Sequence, residues 1–338
     1  MSKDILSSAQ KRFSLLSGIR NVLPTLAYHT CSTPLPPTDK ITLFTCNIFP
    51  PNMVVWHHLV RKFYGDGVDT FIFDCGGGLD PATVPGAKVQ RYINAMHPTK
   101  IDVFLQRAAQ HRKYVWICDD DVFAVSSRAL DVLHQEFAQS KTATVSLRPR
   151  TWWHFAIDGK EYEPSGSYCI ALDREIFKKE GLNAQPADGN THPSHRRKPM
   201  KRYDTLDKSN EELIQRGYRC AIVPEDVRNN CVVGFDGTSI AALVLAYFGT
   251  PERVLDCFRN ATQEQWGGNV YPRMLAAVLS GSAVLQLGEK IMGKPTYCKG
   301  MPTPEALAEI RAHAEPLLTE DRNFRGIDTT YDQLLSSI

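Results

Sequence analysis

The sequence predicts an α/β fold, a Rossmann-like and mostly parallel sheet flanked by helices, followed by a helical C-terminal section. Three observations carry that expectation. Short β-prone apolar runs recur at Ile41 to Ile48, Thr70 to Asp74, Tyr114 to Cys118 and Thr142 to Leu147; segments with apolar residues at helical spacing separate them; and beyond about residue 238 the pattern is nearly all helical. Buried strands alternating with amphipathic helices imply parallel strands covered on both faces.

Residues 1–39 form a leader and linker. They carry Lys3, Lys11, Arg12 and Arg20, the apolar Leu15, Leu16, Ile19 and Leu23, and a Pro-rich stretch at Pro34, Pro36 and Pro37. A helix lying on a membrane surface and an ordinary leader helix both fit that pattern. The α/β domain is expected to span 40–235. After the first strand, Pro50 and Pro51 break the run, and Asn52 is placed to cap a helix bearing Trp56, Leu59, Val60 and Phe63 on one face. The second strand ends at Asp74 before Gly76, Gly77 and Gly78, where the backbone turns tightly or approaches a ligand. Thr99 is expected to cap the next helix, with Ile101, Phe104 and Leu105 facing inward, and Ser126 to open another with Leu130, Leu133 and Phe137. A helix at about 173–180 stops at Gly181, residues 183–202 read as a mobile basic loop, and a helix at about 207–216 stops at Gly217 ahead of a strand at Arg219 to Val223. Residues 236–338 form the helical C-terminal region, with Thr250-Pro251 and Thr303-Pro304 as helix starts.

Composition excludes several classes. The chain has 338 residues, 43% hydrophobic and 22% charged, which removes disordered, collagenous and coiled-coil alternatives. Lys and Arg number 39 against 37 Asp and Glu, so no global field gathers nucleic acid, and no nucleic-acid partner is expected. Nine scattered cysteines include no CxxC pair, which disfavours a zinc site and suits a reducing compartment. No stretch reads as a signal peptide or approaches the roughly 20 apolar residues of a membrane span, so a cytoplasmic location is expected, with peripheral membrane contact left open.

The strongest chemical signal is Asp119-Asp120-Asp121, directly after the buried strand Tyr114-Val-Trp-Ile-Cys118. Three adjacent carboxylates at a strand end repel one another unless a cation or hydrogen-bond donors offset the charge. In extended backbone Asp119 and Asp121 share one side and Asp120 takes the other, so the outer pair suits one hard cation, Mn2+ or Mg2+. An acidic turn ahead of the following helix is the plainer alternative.

At these residues the chain resembles the GT-A fold glycosyltransferases: Tyr114 to Phe123 looks like their apolar strand and DxD motif. The resemblance implies a metal-dependent transferase that moves a sugar from a nucleotide-diphosphate sugar, a UDP-sugar favoured, to a hydroxyl of a glycan, glycolipid or protein acceptor, as in surface polysaccharide or lipopolysaccharide biosynthesis. It implies Asp121 as the main metal ligand and Asp119 on the metal or the ribose, while the alternation leaves Asp120 to contact a sugar or a basic partner. Thr45, Asn47 and Asp74, at the first two strand ends, and Arg91 with Gln90 occupy the places where such enzymes grip the nucleotide. Asp74 reads equally as a turn residue ahead of its glycines.

Downstream, Asp204 and Asp207 precede a helix, glycine, tyrosine and strand block similar to the family's acceptor side. Either is a candidate base for the acceptor hydroxyl, or the two hold the helix terminus, and the family's Glu-Asp pair is missing. His192 and His195, beside Arg196, Arg197 and Lys198, are candidates for a further metal ligand or a basic lid. Trp152, Trp153, His154, Phe155 and Tyr162 serve either an acceptor groove or the core. The rival readings are a haloacid-dehalogenase-like phosphatase, in which the aspartates act as nucleophile and acid/base, and a non-catalytic glycan-binding relative.

Overall fold

A computed structural model of the chain describes residues 2–151, 154–188, 202–235, 237–318, 324 and 326–338. Its centre is a seven-stranded sheet: β1 (Ile41–Asn47), β2 (Val68–Asp74), β3 (Lys88–Arg91), β4 (Tyr114–Cys118), β5 (Thr142–Ser146), β6 (Cys169–Asp173) and β7 (Arg219–Ile222). The spatial order is β7-β5-β6-β4-β1-β2-β3. All neighbours pair in parallel except β6, which runs antiparallel to both β4 and β5. The mostly parallel α/β architecture with a helical C-terminal section is therefore the fold of this chain.

The strands alternate between two cores, as period-2 geometry requires. Leu43, Ile72, Trp116 and Ala171 face one, and Phe44, Phe71, Phe73, Ile117 and Ile170 face the other. Helix α1 (Ser2–Cys31) places Tyr28 in the second core, where Phe44 stacks on Phe104 at 4.0 Å between ring centroids. The first core is filled by α2 (Pro50–Tyr64) and by the C-terminal helices, so Trp56, Trp266, Leu287 and Leu334 belong to one continuous cluster with the sheet. In the long C-terminal helix Val270–Met292, a Cβ on Gly281 would lie 3.1 Å from Ala241 and from Met301, which is why the helices approach so closely there. That helix is long and apolar enough to cross a membrane by composition, contrary to expectation, yet 78% of its most apolar window is buried in the core.

Helix starts differ from expectation where proline decides them. Helix α2 begins at Pro50 rather than at an Asn52 cap, and α3 (His97–Gln106) begins with Pro98 in its first turn rather than at Thr99. A first-turn N–H needs no intrahelical partner, so proline costs nothing there. The helix Arg128–Phe137 starts after Ser126, whose hydroxyl instead donates to the Asn230 carbonyl at 2.5 Å. Gly181 and Gly217 end their helices with φ of +67° and +77°, and Thr250 and Thr303 cap theirs as expected. All nine cysteines are free thiols.

Candidate active site

Strand β4 delivers Asp119, Asp120 and Asp121 to the carboxyl edge of the sheet, where open α/β sheets bind ligands. The three form a turn, closed by Val122 N–H donating to the Asp119 carbonyl at 3.1 Å, and the chain then enters a short antiparallel ribbon in which Val122–Ala124 pairs with Val232–Gly234. Because β6 runs antiparallel, its entry residue Tyr168 meets the exit of β4, and Asp119 N–H donates to the Tyr168 carbonyl at 2.8 Å. A Cβ on Gly234 would fall 2.7 Å from the Asp121 carbonyl and on top of the Arg148 guanidinium, so only glycine lets the ribbon pass.

The carboxylates divide within a turn, not along the extended backbone the sequence suggested. Asp119 and Asp121 line a cleft of about 1100 Å³, Asp121 only 9% exposed, while Asp120 turns inward and is 5% exposed. Asn47, at the end of β1, donates through Nδ2 to Asp120 Oδ2 at 2.6 Å, and Asn52 of α2 lies beside the same carboxyl without a well-formed hydrogen bond. Burial first, and the Asp121 charge second, push the Asp120 carboxyl up to about 8, against the pull of Asn47 and Lys100. Lys100 is itself buried on α3; Cys75, Cys46 and Asp120 around it more than offset the desolvation and keep it protonated.

Asp119 is raised well above the usual carboxylate range, by burial and then by Asp121 and Asp120, with Arg148 opposing. The only side chain within ion-pair distance of it among the described residues is His97, with Nε2 at 3.8 Å. Burial and the nearby Lys100 hold that imidazole down to about 3, so it is neutral near pH 7 and supplies no charge. Asp121 Oδ2 accepts the N–H groups of Gly237 and Thr238, each at 3.1 Å, at the start of the helix Ser239–Phe248. Asp119 and Asp121, both lining the cleft, are oxygen donors of the kind a hard cation takes together with water and phosphate oxygens. Among the described residues no three His, Cys, Asp or Glu side chains form a closed metal cage, and His195 lies outside the described residues together with His192, Trp152, Trp153 and Asp236.

Asp204 and Asp207 come together around Arg150, whose side chain is 1% exposed. Arg150 Nε donates to Asp207 Oδ1 at 3.0 Å, and its Nη1 reaches Asp204 Oδ2 at 3.1 Å and the Tyr168 hydroxyl at 2.8 Å. Asp207 also accepts the Asp204 N–H at 3.0 Å; it is fully buried, and burial lifts its carboxyl to about 6 despite the guanidinium. The Asp204 side chain is 49% exposed.

The remaining sequence-predicted residues serve the strand ends. Asp74 organises the glycine turn, accepting Gly77 N–H at 2.8 Å and Leu79 N–H at 3.1 Å. Arg91 is turned toward α1, donating to Asn21 Oδ1 at 3.1 Å and the Arg20 carbonyl at 2.5 Å. Thr45 is buried with its hydroxyl unpartnered. Sequence reasoning missed His97, Lys100 and Asn52, and it missed the cations that line the cleft, Arg148, Arg273 and Arg228, the last lying 3.6 Å from Glu225. Arg273 is exposed and has no polar partner among the described residues.

No protein-family profile and no characterised protein sequence matches the chain. Among solved structures, it is similar to a mannosyltransferase from Pyrobaculum calidifontis, in complex with GDP-mannose and Mn2+, at 12% identity and a TM-score of 0.39, covering 100% of this chain and 97% of that one. It is also similar to a 4-diphosphocytidyl-2C-methyl-D-erythritol synthase from Anaerococcus prevotii, at 12% identity and a TM-score of 0.35, covering 62% of this chain and 97% of that one.

Proposed function

We propose that this chain is a divalent-metal-dependent glycosyltransferase of the GT-A type that uses a nucleotide-diphosphate sugar. The observation that carries the reading is the pair Asp119 and Asp121, both lining one large cleft at the end of β4, with Asp119 raised by burial and then by its neighbours and no protonated side chain within ion-pair distance of it among the described residues. Asp119 and Asp121 would hold Mn2+ or Mg2+, which when bound supplies positive charge for the diphosphate that leaves. The chain's own residues do the rest. Asp120, tied to Asn47, fixes the turn so that its neighbours face outward. Arg148 lines the cleft beside them and is placed to meet the donor's phosphates. Thr45 and Asn47 lie at the strand end that would receive the nucleoside. Asp204 is the candidate base for the acceptor hydroxyl, because its carboxylate reaches solvent whereas Asp207 is enclosed by Arg150 and backbone. Arg273, an exposed cation lining the same cleft, suits an acceptor that carries an anionic group.

The test is turnover. The protein is incubated with UDP-, GDP-, dTDP- and CMP-linked sugars, with and without Mn2+, and released nucleotide is followed in the presence of candidate acceptors. Metal-dependent nucleotide release from one donor class supports the proposal. Release of phosphate from simple phosphate esters, with no nucleotide release from any sugar donor, replaces it with the phosphatase reading.

A further inference from the structure

The described residues leave eleven large hydrophobic side chains exposed, and six of them crowd onto twelve positions of α1: Leu15, Leu16, Ile19, Val22, Leu23 and Leu26, from 43% to 74% exposed. At 100° per residue these six fall within an arc of about 120°, a continuous apolar stripe about 16 Å long. The opposite face of the helix does the packing: Ala9, Ser17, Asn21, Thr25 and Tyr28 are buried, and Asn21 Nδ2 alone donates to the carbonyls of Asp74, Cys75 and Tyr92. The helix is thus held to the body by one face while the other presents leucine, isoleucine and valine to water, an arrangement with no value to folding itself.

The charges around the stripe identify its partner. No Asp or Glu occurs between Ile5 and Thr38. Lys11 and Arg20 project from α1, and Arg91 and Arg107 lie along it, donating to the carbonyls of Arg20 and His29. A second copy of α1 packed antiparallel on the stripe would centre near residue 20 and set Arg20 against its own copy, with no carboxylate after Asp4 on either helix to offset the pair. An anionic bilayer offers both what the leucines and what the cations require.

We propose that α1 docks the protein on anionic phospholipid membranes, with Leu15, Ile19, Val22, Leu23 and Leu26 entering the interface and Lys11 and Arg20 pairing with headgroups. The inference rests on α1 alone and is independent of the reaction assigned to the cleft. Co-sedimentation with vesicles tests it, using phosphatidylcholine alone and phosphatidylcholine with phosphatidylglycerol. The full chain is expected to pellet with the anionic vesicles only, and less so as salt rises. Partitioning should fall at least about tenfold in Leu15→Ser/Ile19→Ser/Leu23→Ser and fall in Lys11→Gln/Arg20→Gln. These side chains are exposed, and unchanged thermal melting of both variants establishes that the fold is intact. Failure of the full chain to bind anionic vesicles overturns the proposal, as does binding that the triple variant leaves unchanged. A micromolar dimer in sedimentation equilibrium that the triple variant abolishes also overturns it, by assigning the stripe to a second copy.

Discussion

Two groups of carboxylates stand beside the same cleft, and they are built differently. Asp204 and Asp207 close on Arg150, a guanidinium carried within the fold, hydrogen-bonded to both and to the Tyr168 hydroxyl. Asp119 has within ion-pair distance, among the described residues, only a neutral imidazole, His97, and its carboxyl is raised by burial and then by the Asp121 and Asp120 charges. In the first group the folded chain completes its own electrostatics. In the second, Asp119 has no protonated side chain at ion-pair distance among the described residues, although Arg148 acts on it from farther away, and that leaves room for the cation proposed above. On the proposed reading the difference separates the enclosed Arg150–Asp207 pair from a cation site, even though both groups are clusters of aspartate near one strand edge.

The sharpest way to break the comparison is to remove Arg150. Arg150→Met leaves Asp207 buried and unpaired, and urea unfolding at pH 7 should show a loss of about 3–5 kcal/mol. Arg150→Met/Asp207→Leu should recover most of it, because the double variant buries no lone charge. Asp119→Asn should behave in the opposite way, leaving the unfolding midpoint nearly unchanged or raised while sugar transfer falls about 100-fold or more. A comparable loss of stability in both variants would erase the distinction drawn here.

A pH series sharpens it further. The folded pKa of Asp207, about 6, lies above its unfolded value, so the folded state binds the extra proton, and that stabilisation is complete below about pH 4 and lost as pH rises through 6. The stability of the protein relative to Asp207→Asn should therefore decline by about 2 kcal/mol between pH 4 and pH 7, read from urea midpoints at each pH. The smallest effect concerns the ribbon. Gly234→Ala forces the chain away from the Asp121 carbonyl and Arg148, and should cost about 1–2 kcal/mol in thermal unfolding while weakening metal-dependent nucleotide binding.

How far the sequence reveals this molecule depends on the range of the interactions involved. Buried runs such as Thr70 to Asp74 and Tyr114 to Cys118 announce parallel-sheet strands, because both faces of each strand are covered, and the position of Asp119 to Asp121 at a strand end follows directly. The reversed direction of β6 is invisible to periodicity, which is the same for either pairing, although it is that reversal which brings Tyr168 to Asp119. Strand β3, with the sequence Lys-Val-Gln-Arg at the sheet edge, has too little apolar content to register. Arg150 and Asp207 lie 57 positions apart, so a pattern that suggests a base or a helix cap at Asp207 contains nothing of the guanidinium that occupies it. His97 and Lys100 reach the aspartates on a crossover helix whose start is set by Pro98, and Asn52 does so from inside the first turn of α2. The apolar run at Val270–Met292 shows the converse: it is long enough to mimic a membrane span and is claimed by the core.

The most direct test of the central claim is calorimetric titration of Mn2+ and then UDP into the protein and into Asp119→Asn and Asp121→Asn, the latter keeping an oxygen to accept the Gly237 and Thr238 N–H groups. The account predicts that the protein binds Mn2+, that the metal tightens nucleotide binding, and that both variants, still folded, lose the metal and the coupling together. Nucleotide binding that is equally tight without metal and unchanged in both variants would contradict it.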